Sequence, residues 1–146
     1  MNTISHYLAD HHHHCDELFA QAEDAVAAKN WPQAEAQFSQ FHGAMEHHFA
    51  MEEEAIFPAF EERTGMSMGP TQVMRSEHLQ MRELFQAMAD ALRARDAEDY
   101  LGQSETLLMM MQQHNLKEEQ ILYPMADQAL DGEQDALISR MDAMGK

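Results

Sequence analysis

The sequence predicts an all-α protein, an up-down antiparallel four-helix bundle with a short C-terminal helix. Three observations carry that prediction. Apolar residues recur at helical spacing nearly everywhere, with no sustained period-2 alternation. The long helical stretches are joined by short connections, which favour antiparallel neighbours. The second half of the chain repeats the first at an offset of 66 residues, so two helix pairs of one design follow each other. At 146 residues the chain is expected to form one domain, residues 1–146, with the internal repeat over about 4–62 and 70–130.

Helix 1 is predicted over roughly residues 4–28, its apolar stripe running through Leu8, His12, Cys15, Phe19, Ala22 and Val26. Asn30 is placed to cap helix 2, with Pro32 in the first turn; the stripe Phe38, Phe41, Met45, His48, Glu52, Ile56 carries it to about Glu62. The segment Gly65–Pro70 is the clearest loop and joins the repeats. Helix 3 carries Met74, His78, Met81, Phe85, Met88 and Leu92. Asp96, 66 residues after Asn30, has the same capping chemistry for helix 4, whose stripe is Leu101, Leu107, Met111, His114, Glu118, Leu122 and Met125. Gly132 ends that helix, and Glu133–Met144 reads as an appended helix with Leu137, Ile138 and Met141 inward. Pro58 and Pro124 fall late in helices 2 and 4, where a missing N–H should kink or terminate each helix.

The repeat contains one frame twice, H-x-x-x-E-E-x-x-[IL]-[FY]-P, starting at His48 and again at His114. The same offset lays His12 over His78. A spacing of four brings side chains to one helical face, so His48 with Glu52 and His114 with Glu118 each point at one place. All six residues sit within the apolar stripes, and carboxylates are almost never buried unless paired or metal-bound. A lone His-x-x-x-Glu is ordinarily an exposed pair worth a few tenths of a kcal/mol; two matched copies on apolar faces point instead to a dinuclear metal site. Glu52 and Glu118 would project to the same level of an antiparallel bundle and bridge both ions, with His12 and His48 on one and His78 and His114 on the other. Imidazole with carboxylate favours iron, manganese or zinc over calcium or magnesium. This ligand set leaves coordination positions for a bridging oxygen, water or a diatomic molecule. A ferritin-type site is disfavoured, because that motif spaces Glu and His by three and no Glu-x-x-His occurs in the chain.

The remaining histidines lack a histidine partner at the repeat offset. His11, His13 and His14 align with Glu77, Leu79 and Gln80 and read as solvated or supporting residues, though a register shift of one residue would put one of them in place of His12. His42 and His47 read as structural or surface residues. Cys15 is most simply a small buried apolar residue, with a thiolate ligand as the alternative.

Nine Lys and Arg against 26 Asp and Glu give a formal net charge of −17, which opposes nucleic acid and anionic membranes as partners. The single cysteine excludes an internal disulfide framework and suits a reducing compartment. The N-terminus lacks a basic region followed by an apolar run, and a cytoplasmic location is expected.

A single His on helix 1, H-x-x-x-E followed by Phe-Pro on helix 2, a single His on helix 3 and H-x-x-x-E on helix 4 resemble the hemerythrin-like (HHE cation-binding) domain. The resemblance covers about residues 4–130. It implies a non-haem di-iron centre with an oxo or hydroxo bridge, with His12, His48, Glu52, His78, His114 and Glu118 corresponding to its ligands. The oxygen-carrying hemerythrins add a second histidine one turn from the helix-3 ligand and end with H-x-x-x-x-D; here those flanking positions are Met74 and Arg82, and Glu118 follows His114 at spacing four. The set of four histidines and two glutamates is similar to the domain of the repair-of-iron-centres (RIC) proteins, whose N-terminal cysteine-containing segment is absent here. The expected function is binding or sensing of O2 or NO at the di-iron centre. The alternatives are a redox or repair role, reacting with NO or peroxide or donating iron for iron-sulfur clusters, and a signalling module whose packing follows metal state. Any protein partner is unknown.

Overall fold

The computed structural model describes residues 3–144. Helix α1 spans Ile4–Ala27, with the Thr3 hydroxyl accepting from the His6 N–H at its start. Helix α2 (Trp31–Met51) passes without a break through a π turn at Glu52–Ile56 into α3 (Phe57–Thr64). The second repeat does the same: α4 is Pro70–Arg93, and α5 (Ala97–Lys117) runs through a π turn at Glu118–Leu122 into α6 (Tyr123–Ala129). Helix α7 is Gln134–Met144. Among the described residues there is no strand, and no helix is long and apolar enough to cross a membrane. The fold is the all-α bundle with a short C-terminal helix that the sequence predicts.

Both interhelix corners are built alike. The Asn30 N–H bonds back to the Ala25 carbonyl and the Lys29 N–H to that of Val26, with Lys29 in the left-handed region at φ 56°. Asp96, Arg95 (φ 53°), Ala91 and Leu92 repeat this arrangement. Asn30 and Asp96 then cap the following helices by accepting from the Gln33 and Asp99 N–H groups. One residue therefore closes one helix and opens the next, which holds α1 against α2 and α4 against α5.

Neither proline terminates its helix: of the kink or termination that the sequence predicts, the chain shows a local distortion, a π turn just before each proline, and continues. Pro58 has no N–H to give the Glu54 carbonyl, and Arg140 of α7 donates there at 3.0 Å. One turn earlier the backbone widens, so that the Phe57 N–H bonds to the Glu52 carbonyl and the Tyr123 N–H to that of Glu118. An α-helix would carry residue i+5 roughly 140° around the axis at about 100° per residue. The wider turn returns it above residue i, so Phe57 and Tyr123 face inward with Glu52 and Glu118; all four are fully buried.

Smaller differences concern the stripes and ends. Leu101 and Met125 are only half-buried, and Tyr100 and Ala126 take the inward positions beside them. Of the α7 residues, Ile138 and Met141 are buried and Leu137 is half-buried. Pro70 opens α4 rather than closing the loop. Apolar side chains form two clusters, one around Phe19, Phe41 and Phe85, the other around Leu8, Phe57, Phe60 and Met141. Along each long helix the candidate ligands fall between the two, with α7 covering the second cluster.

Candidate metal centre

The structure brings all six sequence-predicted residues together, each at most 4 % exposed. They form two groups that could each hold a metal ion, His12–His48–Glu52–Glu118 and Glu52–His78–His114–Glu118; within each, the donor atoms lie within 4.8 Å of one another. The glutamates belong to both. Glu52 turns Oε2 toward His48 Nε2 (3.6 Å) and Oε1 toward His78 Nε2 (3.0 Å). Glu118 turns Oε1 toward His12 Nε2 (3.1 Å) and Oε2 toward His114 Nε2 (3.3 Å). Each carboxylate thus offers one oxygen to each group.

Behind the ligand atoms stands a ring of further carboxylates. The Nδ1–H groups of His12, His78 and His114 donate to Glu119 (2.6 Å), Glu53 (2.6 Å) and Glu77 (2.7 Å). A carboxylate only accepts, so each bond fixes a proton on Nδ1 and turns Nε2 toward the centre, where a metal ion would take its lone pair. Glu53 is held in turn by Arg82 (2.9 Å), and Glu77 by Lys117. His48 is the exception: its Nδ1 is buried without a partner, and the residue at the repeat-equivalent of Glu77 is His11, whose ring lies 6.0 Å from that of His48.

The inner atoms differ between the groups as well. In the first, the Tyr123 hydroxyl lies among all four donors. In the second, Glu52 Oε1, His78 Nε2, His114 Nε2 and Glu118 Oε2 are buried and none makes a hydrogen bond; the 3.0 Å approach of His78 to Glu52 lacks hydrogen-bond geometry. Two fully buried carboxylates and four imidazole nitrogens converging on one place are costly to bury without a cation, since charge taken out of water carries a large desolvation cost. A divalent or trivalent transition metal fits this donor set.

The family model of the hemerythrin HHE cation-binding domain matches residues 3–126. The chain belongs to that family. No curated protein and no solved structure gives a significant match. The match accounts for the cation-binding character of the buried cluster, and this HHE domain adds features of its own.

Electrostatics in the cluster follow from burial opposed by pairing. Burial disfavours a charged imidazole, but the facing carboxylates of Glu52 and Glu53 outweigh it and hold His78 up to about 9. His12 and His114 are likewise raised, burial being outweighed by Glu118 and its neighbours. Burial also opposes charge on Glu52, yet His48, Glu118 and His78 bring its carboxyl well below the usual range. His11 is lowered to about 4 by burial and by the adjacent His48 and His47. The buried Cys15 thiol is pushed up to about 12, first by burial and then by Asp16 and Glu52. Cys15 therefore stays a thiol and packs as a small apolar group.

His13 and His14 are exposed, and His42 and His47 are half-buried. Met74 is buried in the core; Arg82 is engaged by Glu46 and Glu53 at 3.0 and 2.9 Å. Sequence reasoning missed Glu53, Glu77, Glu119 and Tyr123. Two of these carboxylates were signalled by the doubled glutamate in the repeated frame, and Tyr123 by the [FY]-P that closes it.

Proposed function

We propose that this HHE domain holds two iron ions and binds or senses a diatomic ligand, O2 or NO, at that centre. His12 and His48 would hold one ion, His78 and His114 the other, with Glu52 and Glu118 spanning both; manganese or zinc suits the same donors. The observation that carries the reading is the set of four buried donor atoms, Glu52 Oε1, His78 Nε2, His114 Nε2 and Glu118 Oε2, that converge without hydrogen-bond partners. When bound, a reduced iron pair supplies electrons and open coordination positions to a small molecule.

The chain's own residues do the rest. Glu53, Glu77 and Glu119 orient three imidazoles and keep their Nε2 lone pairs available. The two apolar clusters flank the centre, whose six candidate ligands are at most 4 % exposed, and keep it out of bulk water. The test is to prepare the reduced, iron-loaded protein anaerobically, mix it with O2 or NO and follow the visible spectrum. A spectral change reversed by removing the gas supports binding or sensing. A change that consumes the gas and does not reverse would favour the redox or repair reading instead.

A further inference from the structure

The two halves of the repeat are matched in their histidines and glutamates but not in the ring that stands five residues after each glutamate. The Tyr123 ring lies 5.7 Å from that of His12, stacked at 27°, and the Phe57 ring lies 5.8 Å from that of His78, at 24°. The rings are equivalent in place, and the one chemical difference is an oxygen. That oxygen lies 2.6 Å from Glu52 Oε2, 2.9 Å from Glu118 Oε1, 3.1 Å from His12 Nε2 and 3.4 Å from His48 Nε2. Tyr123 is fully buried, and these four atoms are its hydroxyl's hydrogen-bond partners. The hydroxyl has one proton and faces two carboxylate oxygens, so it can donate to only one of them at a time.

Resting on the di-iron reading above, we propose that the Tyr123 phenol oxygen is a seventh protein ligand, bound to the ion of His12 and His48, and that it confines exogenous small ligands to the ion of His78 and His114. In octahedral coordination with bonds of about 2.1 Å, each ligand atom has four neighbours at about 3 Å. The Tyr123 oxygen has four such neighbours, and they are the four donors of one ion. As the metal–oxygen bond forms, the phenol proton leaves to solvent and no electron is transferred, as for other ligands that deprotonate on metal binding. The π turn makes the placement feasible, because a plain α-helix would turn Tyr123 away from Glu118. On the other side Phe57 offers only a hydrocarbon edge, so a position there stays free for azide, NO or O2.

The experiment compares the wild-type chain with Tyr123→Phe and Phe57→Tyr, all loaded with ferric iron, by elemental analysis, visible absorption, resonance Raman and azide titration. Phenylalanine already occupies the equivalent site at 57, so Tyr123→Phe leaves packing intact. The wild type should show a phenolate-to-iron(III) charge-transfer band with enhanced tyrosine ring vibrations and bind one azide per iron pair. Tyr123→Phe should keep its iron, lose the band and bind a second azide; Phe57→Tyr should intensify the band and lose azide binding. Iron-loaded wild type without the band, or Tyr123→Phe with the band or with azide stoichiometry unchanged, overturns the assignment while leaving the iron centre standing. A chain that takes up no iron overturns both.

Discussion

Three of the four inward histidines are backed by a carboxylate on a different helix, and the fourth, His48, is not. Removing such a supporting carboxylate typically lowers metal affinity by about 10–100-fold. Glu53→Gln and Glu119→Gln should each show a loss of roughly that size in anaerobic iron titrations, with the fold intact by circular dichroism. His11→Glu would place a carboxylate at the repeat-equivalent of Glu77, beside His48, and should raise affinity; an unchanged or lower affinity would mean that this histidine needs no such support. The inner residues were legible because a spacing of four within one helix puts His and Glu on one face whatever the tertiary structure. The outer carboxylates were not, since Glu119 reaches His12 on α1 and Glu77 reaches His114 on α5, and such pairings exist only after the helices pack.

Helix caps are local and could be read from Asn30 and Asp96; what the prolines would do could not. Pro58 and Pro124 signal a kink or an end without saying which; the backbone widens and continues, because Phe57 and Tyr123 gain burial and Arg140 satisfies the Glu54 carbonyl from a distant helix. The corners make a separate prediction. Lys29 holds a left-handed conformation that glycine adopts without strain, so Lys29→Gly should stabilise the chain by up to about 1 kcal/mol, seen as a higher denaturation midpoint at unchanged slope. Arg95→Gly should gain less, because the Arg95 guanidinium sits 6.0 Å from the Trp31 ring centroid and that contact would be lost. Asn30→Ala removes a cap and should cost about 1 kcal/mol.

The whole bundle gathers two fully buried glutamates and four buried histidines between its apolar clusters. The fold class was legible because helical periodicity, short corners and the 66-residue repeat are properties of the chain alone. The difference between the two donor groups was not, because Phe57 and Tyr123 reach the centre only through the π turns that swing both rings inward. A cation that binds only the folded chain stabilises it by about 2.7 kcal/mol at a hundredfold excess over its dissociation constant. For a domain of this size that is a rise of roughly 5–10 °C in melting midpoint on iron loading, reversed by a chelator. Equal midpoints at demonstrated occupancy would count against a buried site.

The most direct test is the metal content of the purified chain, loaded anaerobically with iron and washed with a weak chelator, by elemental analysis against protein concentration. The geometry predicts two ions per chain in the wild type, and less than one in Glu52→Ala and Glu118→Ala, since each glutamate serves both positions. A wild-type content of one or none, or glutamate variants that keep two ions at undiminished affinity, would contradict the shared centre.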